Sequence, residues 1–175
     1  MAILESDGWK YYAEFVKAYA PNATGQTLNN DPTLTVLEID NTPLRCNIPG
    51  LTVAASNRIP LPQDLEYFIE AQTILTSYST NQFAGFPILW NATDSNLFTS
   101  GDENMTNVGS VYGTFKVSTQ IEKLTAQKLL EFQFLKNGYA GAASDVVVGR
   151  SYPSAPLSNS TAGLDLRTRI KIWAK

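Results

Sequence analysis

The run Leu164-Asp165-Leu166-Arg167-Thr168-Arg169-Ile170-Lys171-Ile172-Trp173-Ala174-Lys175 alternates without a break. Leu164, Leu166, Thr168, Ile170, Ile172 and Ala174 share one face of an extended chain. Asp165, Arg167, Arg169, Lys171, Trp173 and Lys175 share the other. Successive side chains of a strand point to opposite sides, so a period of two reads as a half-buried β-strand. Its apolar face must be covered by a second layer, which makes this segment part of a sandwich.

The same period recurs upstream. In Val111–Ile121 the residues Val111, Phe115, Val117 and Ile121 point one way, and Thr114, Lys116, Ser118 and Gln120 the other. Between Glu66 and Thr76, Tyr67, Ile69, Ala71, Thr73 and Leu75 form one face, with Glu66, Glu70 and Gln72 opposite. A helix capped by Asp64 would also fit, but Phe, Tyr, Ile and Thr dominate and favour a strand. Leu129–Lys136 runs into Asn137-Gly138, a strong hairpin signal, with Asp145-Val146-Val147-Val148-Gly149 as the expected returning strand. Thr33–Ile39 reads as a strand closed by Asp40-Asn41-Thr42-Pro43. Pro43, Pro49, Pro60 and Pro62 then cut the chain into short edge pieces such as Leu51–Ala55. Asn22–Pro32 and Ser151–Gly163 read as loops.

The first segment reads differently. Charges fall at Asp7, Lys10, Glu14 and Lys17, spaced three, four and three, which is one face of a helix. Asp7 as cap and Pro21 as stop predict a short amphipathic helix over residues 7–20. The expectation is therefore an all-β protein, a jelly-roll β-sandwich over 33–175 with that helix in front, in a single domain of 175 residues.

Composition agrees. The chain holds 17 Thr, 13 Ser, 13 Asn and 7 Gln beside 8 Tyr, 8 Phe and 3 Trp, and only 17% of its residues are charged. That is a folded, strand-forming composition. There is no histidine, which removes imidazole-based nucleophilic triads and the common catalytic zinc sites. The single Cys46 allows no internal disulfide and reads as a buried free thiol. The start Met1-Ala2-Ile3-Leu4-Glu5-Ser6-Asp7 lacks the basic, then apolar, pattern of a signal peptide. No apolar run reaches the roughly 18 residues that span a bilayer, and no cofactor is called for.

Net charge is −3, unevenly spread: residues 1–105 carry 12 acids and four bases, residues 106–175 nine bases and four acids. A domain acidic overall is a poor nucleic-acid binder. The outward Arg167, Arg169, Lys171 and Trp173 form the candidate protein–protein interface, an aromatic flanked by cations. Other constellations are weaker. Glu66 and Glu70 could form a hydrolytic carboxylate pair. Asp94-Ser95-Asn96 and Asp102-Glu103-Asn104 offer oxygen ligands of the kind calcium takes, without a complete loop pattern. Trp9, Trp90 and Trp173 could stack on sugars.

Gly8-Trp9-Lys10-Tyr11-Tyr12-Ala13-Glu14-Phe15-Val16-Lys17, followed by Leu34-Thr35-Val36-Leu37, resembles the start of some small bacteriophage virion proteins. Arg58–Pro62, Leu130–Gly138 and Arg167–Trp173 resemble pieces of the trimeric jelly rolls of phage cement proteins and tumour-necrosis-factor-like tips. The resemblance implies a non-enzymatic virion component, a capsid cement or decoration protein made in the host cytoplasm. It would self-associate as a homotrimer and could contact a major capsid protein. The alternatives are a tail-associated receptor- or carbohydrate-binding module using Trp90 and the Asn/Asp loops, or a carboxylate-dependent glycoside hydrolase.

Overall fold

The computed structural model describes residues 8–19, 26–28, 34–52, 56–77, 84–102, 104–105, 112–137, 146–148 and 165–175. Among them lie twelve strands and no helix: β1 (Tyr11–Tyr19), β2 (Leu34–Val36), β3 (Arg45–Cys46), β4 (Arg58–Leu61), β5 (Tyr67–Ser77), β6 (Ala84–Asn91), β7 (Asn96–Ser100), β8 (Asn104–Met105), β9 (Tyr112–Ile121), β10 (Lys128–Asn137), β11 (Val146–Val148) and β12 (Asp165–Ala174). They form two antiparallel sheets. The first runs β3-β1-β12-β5, with β9 on the far side of β5 and β11 continuing the β12 side. In the second, β10 lies between β6 and the pair β2 and β4, and β6 is bordered by β7 and β8.

The inner faces supply the core. Ala13 and Phe15, Tyr67 and Ile69, Phe115 and Val117, Ile170 and Ile172 come from the first sheet. Ile59, Leu61, Leu89, Leu130, Phe132 and Phe134 come from the second. Phe115 and Phe134 join the layers edge-on, their centroids 4.8 Å apart at 77°. Thr73 and Thr168 are also buried at the β5–β12 seam, their hydroxyls 3.4 Å apart, so neither is stranded. The Tyr67 hydroxyl donates to the Pro62 carbonyl at 2.6 Å, and burial holds its pKa well above the ordinary phenol value.

The alternation of β12 holds in the structure. Thr168, Ile170, Ile172 and Ala174 are buried, and Arg169, Lys171 and Trp173 point outward. The strands expected over Glu66–Thr76 and Val111–Ile121 appear as β5 and β9, with the expected faces inward. Leu164 and Val111 lie outside the described residues, as do 22–25, 29–32 and 151–163.

Three expectations are corrected. Residues 11–19 are the strand β1, not a helix. Tyr11, Ala13 and Phe15 face inward or pack on the core, while Tyr12 and Glu14 face outward. Its backbone is bonded to β12 along its length and to β3 at Ala13 and Glu14. The charge spacing misled because Glu14 is not solvated: it is 2% exposed and ion-paired, so it marks no polar helix face. Second, β10 does not fold back onto β11. β10 pairs with β2, β4 and β6, and β11 crosses to β5 in the other sheet. Third, Cys46 is exposed. It sits on the two-residue strand β3, which among the described residues is the edge of its sheet. Leu51 and Thr52 belong to no strand, and 53–55 lie outside the described residues.

One close approach sets the corner where the sheets meet. The Gly101 amide donates to the Pro87 carbonyl at 2.8 Å. A Cβ on Gly101 would lie 2.5 Å from the Lys116 carbonyl oxygen and 2.8 Å from the Pro87 ring. Both distances are shorter than van der Waals contact, so Gly101→Ala should lower the denaturation midpoint measurably. Larger losses are expected at β12. Ile172→Ala should cost about 2–5 kcal/mol in denaturant titrations. Deleting residues 164–175 separates β1 from β5 and should leave no soluble folded chain, as judged by circular dichroism.

Candidate functional site

The outer face of the first sheet is ordered by register into three cross-strand rows. The first is aromatic: Phe68 of β5 faces Trp173 of β12, which faces Tyr12 of β1. Ring centroids lie 5.5 Å apart for Phe68–Trp173 and 5.4 Å for Tyr12–Trp173, and Trp9 extends the shelf at 6.2 Å from Phe68. Lys171 lies over Trp173 and Lys175 over Trp9, at 5.9 and 4.9 Å from the ring centroids. The second row alternates in charge, from Glu70 of β5 through Lys171 and Glu14 to Arg45 of β3. The third runs Lys116, Gln72, Arg169, Val16.

Two concavities open on this face. One of about 520 Å³ is bordered by Trp9, Tyr12, Leu44, Arg45 and Trp173. The other, about 450 Å³, is bordered by Gln72, Ser100, Asp102, Lys116 and Ser118. Glu70, Arg169 and Lys171 line both, so the two form one continuous surface.

Glu14 is the sunken member. The Arg169 guanidinium donates from Nε and Nη2 to its Oε1, and the Tyr12 hydroxyl donates to its Oε2 at 3.0 Å. Burial, reinforced by the bond to Glu14, pushes the Tyr12 pKa up to about 12.

Of the expected interface residues, Arg169, Lys171 and Trp173 therefore come together on this face. Arg167 belongs to β12, but its side chain lies outside the described residues. The partners that complete the face are Tyr12, Glu14, Arg45 and Phe68. Reading 11–17 as a strand would have found the first two, since Tyr12 and Glu14 share a parity opposite to Ala13 and Phe15.

The other constellations separate. Glu66 and Glu70 stand four residues apart along the β5 direction, roughly 13 Å at about 3.3 Å per residue. Glycosidase carboxyl pairs sit about 5–9.5 Å apart. Glu66 is held instead by Lys175 at 3.1 Å. Asp94 pairs with Lys128 at 2.6 Å and accepts from the Asn91 amide, and these bonds hold its carboxyl below the ordinary range. Its oxygens are thus engaged in a turn. Asp102 borders the smaller concavity, and Glu103 lies outside the described residues. Trp90 is on the second sheet, opposite Leu97 and Glu131, away from Trp9 and Trp173.

An absorbance titration should find one tyrosine ionising near pH 12, and Tyr12→Phe should remove it. Since the folded value lies above the ordinary ~10, the stability it contributes is complete below that pH. It is lost as pH rises toward 12. Glu14→Gln should bring this phenol only part of the way down, because burial, the larger cause, persists.

No protein-family model matches this sequence, and no curated protein matches it. Solved structures do. Murine APRIL crystallised at pH 8.5 and at pH 8.0 superposes with a TM-score of 0.54 at 8% sequence identity, covering 94% of this chain and 98% of that one. The structure at pH 5.0 gives 0.54 at 9% identity over the same share. At such identity the likeness concerns fold alone: this chain has a jelly-roll β-sandwich.

Proposed function

We propose that this chain is a non-enzymatic structural protein that self-associates, as a homotrimer, through the outer face of its first sheet. The observation that carries the reading is the aromatic shelf Trp9–Phe68–Trp173–Tyr12 adjoining the Arg169–Lys171 pair. Trp, Tyr and Arg set side by side are the groups that dominate protein–protein binding energies once water is excluded. The occupant proposed for that face is a second copy, argued from charge. The three rows carry Arg45, Lys116, Arg169 and Lys171 against Glu14 and Glu70, a sum of +2, while the whole chain is −3. The remaining residues therefore sum to −5. One copy offers the sign that another copy's face attracts.

Within that reading, the place we assign is the virion: a phage cement or decoration protein, with a major capsid protein as further partner. The absence of histidine chemistry, the abundance of uncharged polar residues and the resemblance of the opening segment support it. A tail-associated glycan-binding role has less support, because Trp90 is apart from the other tryptophans.

Sedimentation equilibrium at micromolar concentration should give a particle of three 19.2 kDa chains, and added salt should weaken it as exposed charges are screened. Trp173→Ala should weaken association by about 2 kcal/mol or more while leaving a folded monomer. A monomer in low salt would defeat the reading. For the virion assignment, purified particles should contain the chain at copy numbers comparable with the shell protein; its absence from them would exclude that role.

A further inference from the structure

We propose that Glu14 is the positioning residue of this face. Its carboxylate neutralises and holds Arg169 so that the guanidinium can be covered by a second copy and receive that copy's carboxylate or carbonyl oxygens. The inference rests on the self-association reading and names the element that makes such an association specific.

The argument begins with where Glu14 stands. It points to the outer side of a sheet, where a carboxylate normally meets water, yet its side chain is 3% exposed. Such a group is tolerated only when paired and hydrogen-bonded. Arg169 and Tyr12 do this, one on each carboxylate oxygen. The pair is layered: the acid lies beneath, and the Arg169 side chain, 36% exposed, lies at the junction of the two concavities. A guanidinium has five N–H donors in a rigid fork. Nε and Nη2 engage Glu14, and the remaining donors are left for the surface that Arg169 lines.

Covering the face changes what Glu14 is worth. In the single chain, Arg169 still reaches water, so losing its counter-charge is tolerable. Beneath a second copy, an uncompensated guanidinium would be desolvated beside Lys171 and Arg45, the cations flanking Glu14 in its row. Glu70 is then the one carboxylate left in the three rows. Removing one partner of a desolvated charge pair is costly chiefly because the other is left alone. The effect of Glu14 should therefore appear in assembly more than in folding.

The test measures self-association of the full chain by sedimentation equilibrium for wild type, Glu14→Gln, Arg169→Gln and the double variant. Melting midpoints are taken on monomer at high dilution. In Glu14→Gln the amide oxygen can still accept from Arg169 and the NH2 can donate to the Tyr12 hydroxyl, so the monomer should melt close to wild type. Its association should be weaker by about tenfold or more. The double variant should associate no more weakly than Arg169→Gln alone, because without the guanidinium the carboxylate has nothing left to neutralise or hold. Association of Glu14→Gln equal to wild type overturns the proposal, and so does a double variant weaker than Arg169→Gln by the factor that separates Glu14→Gln from wild type. If Glu14→Gln does not fold, Arg169→Lys gives the same reading: an ammonium neutralises Glu14 but cannot also present the second edge of a fork. Its association should fall with the fold intact, and unchanged association overturns the proposal. A wild-type chain that never associates defeats the self-association reading itself. A wild-type trimer indifferent to Glu14 defeats this inference alone.

Discussion

Everything on the first sheet depends on the pleat of β12. This strand is hydrogen-bonded to β1 on one side and to β5 on the other. Its register decides in one step which residues of three strands go inward. A slip of one position would turn Arg169 and Lys171 into the core and expose Ile170 and Ile172. Burying each such aliphatic side chain contributes about 1.5–3 kcal/mol, a large part of the margin a domain holds, so only one register is available. That register also composes the outer face. Once Ile172 lies opposite Ala13 and Ile69, Trp173 must meet Tyr12 and Phe68, and Lys171 must meet Glu14 and Glu70.

How much of this could be read from the sequence follows from where each element's information resides. β12, β5 and β9 carry it locally, because one face of each is core and the other is wet, and their inner faces agree with the alternation. β1 does not. Both of its faces are largely buried, the outer one by an ion pair, so polarity no longer reports exposure and Glu14 mimics a helix surface. β10 has a similar fault. Glu131 and Gln133 are each 5% exposed on its outer side, where Arg58 and Gln133 donate to the Glu131 carboxylate. Its ladder partners lie 39 residues or more away in sequence, so the Asn137-Gly138 signal could not reveal that the chain crosses to the other sheet.

The candidate site divides the same way. Arg169, Lys171 and Trp173 were legible because they occupy one strand. Tyr12, Glu14, Arg45 and Phe68 join them only through cross-strand register, which links residues as far apart as Tyr12 and Trp173. No window of sequence contains that row. Glu66, just before β5, and Glu70 within it show the converse: close in sequence, they are separated by the extended backbone, and Glu66 is held by Lys175.

The charge of the face also bears on the symmetry of the proposed assembly. In a two-fold contact a patch meets its own copy, residue for residue around the axis. A face of sum +2 would then bring Arg45, Lys116, Arg169 and Lys171 of both chains together, with Glu14 already committed to Arg169. Like charges brought together cost several kcal/mol, and the aromatic shelf would have to offset that loss. A cyclic contact places the face against a different surface of the next chain, drawn from residues that sum to −5. Attraction and aromatic burial then act in the same direction. For the proposed self-association, charge thus favours a closed ring over a dyad, and a ring of three is the smallest that such a head-to-tail contact can close.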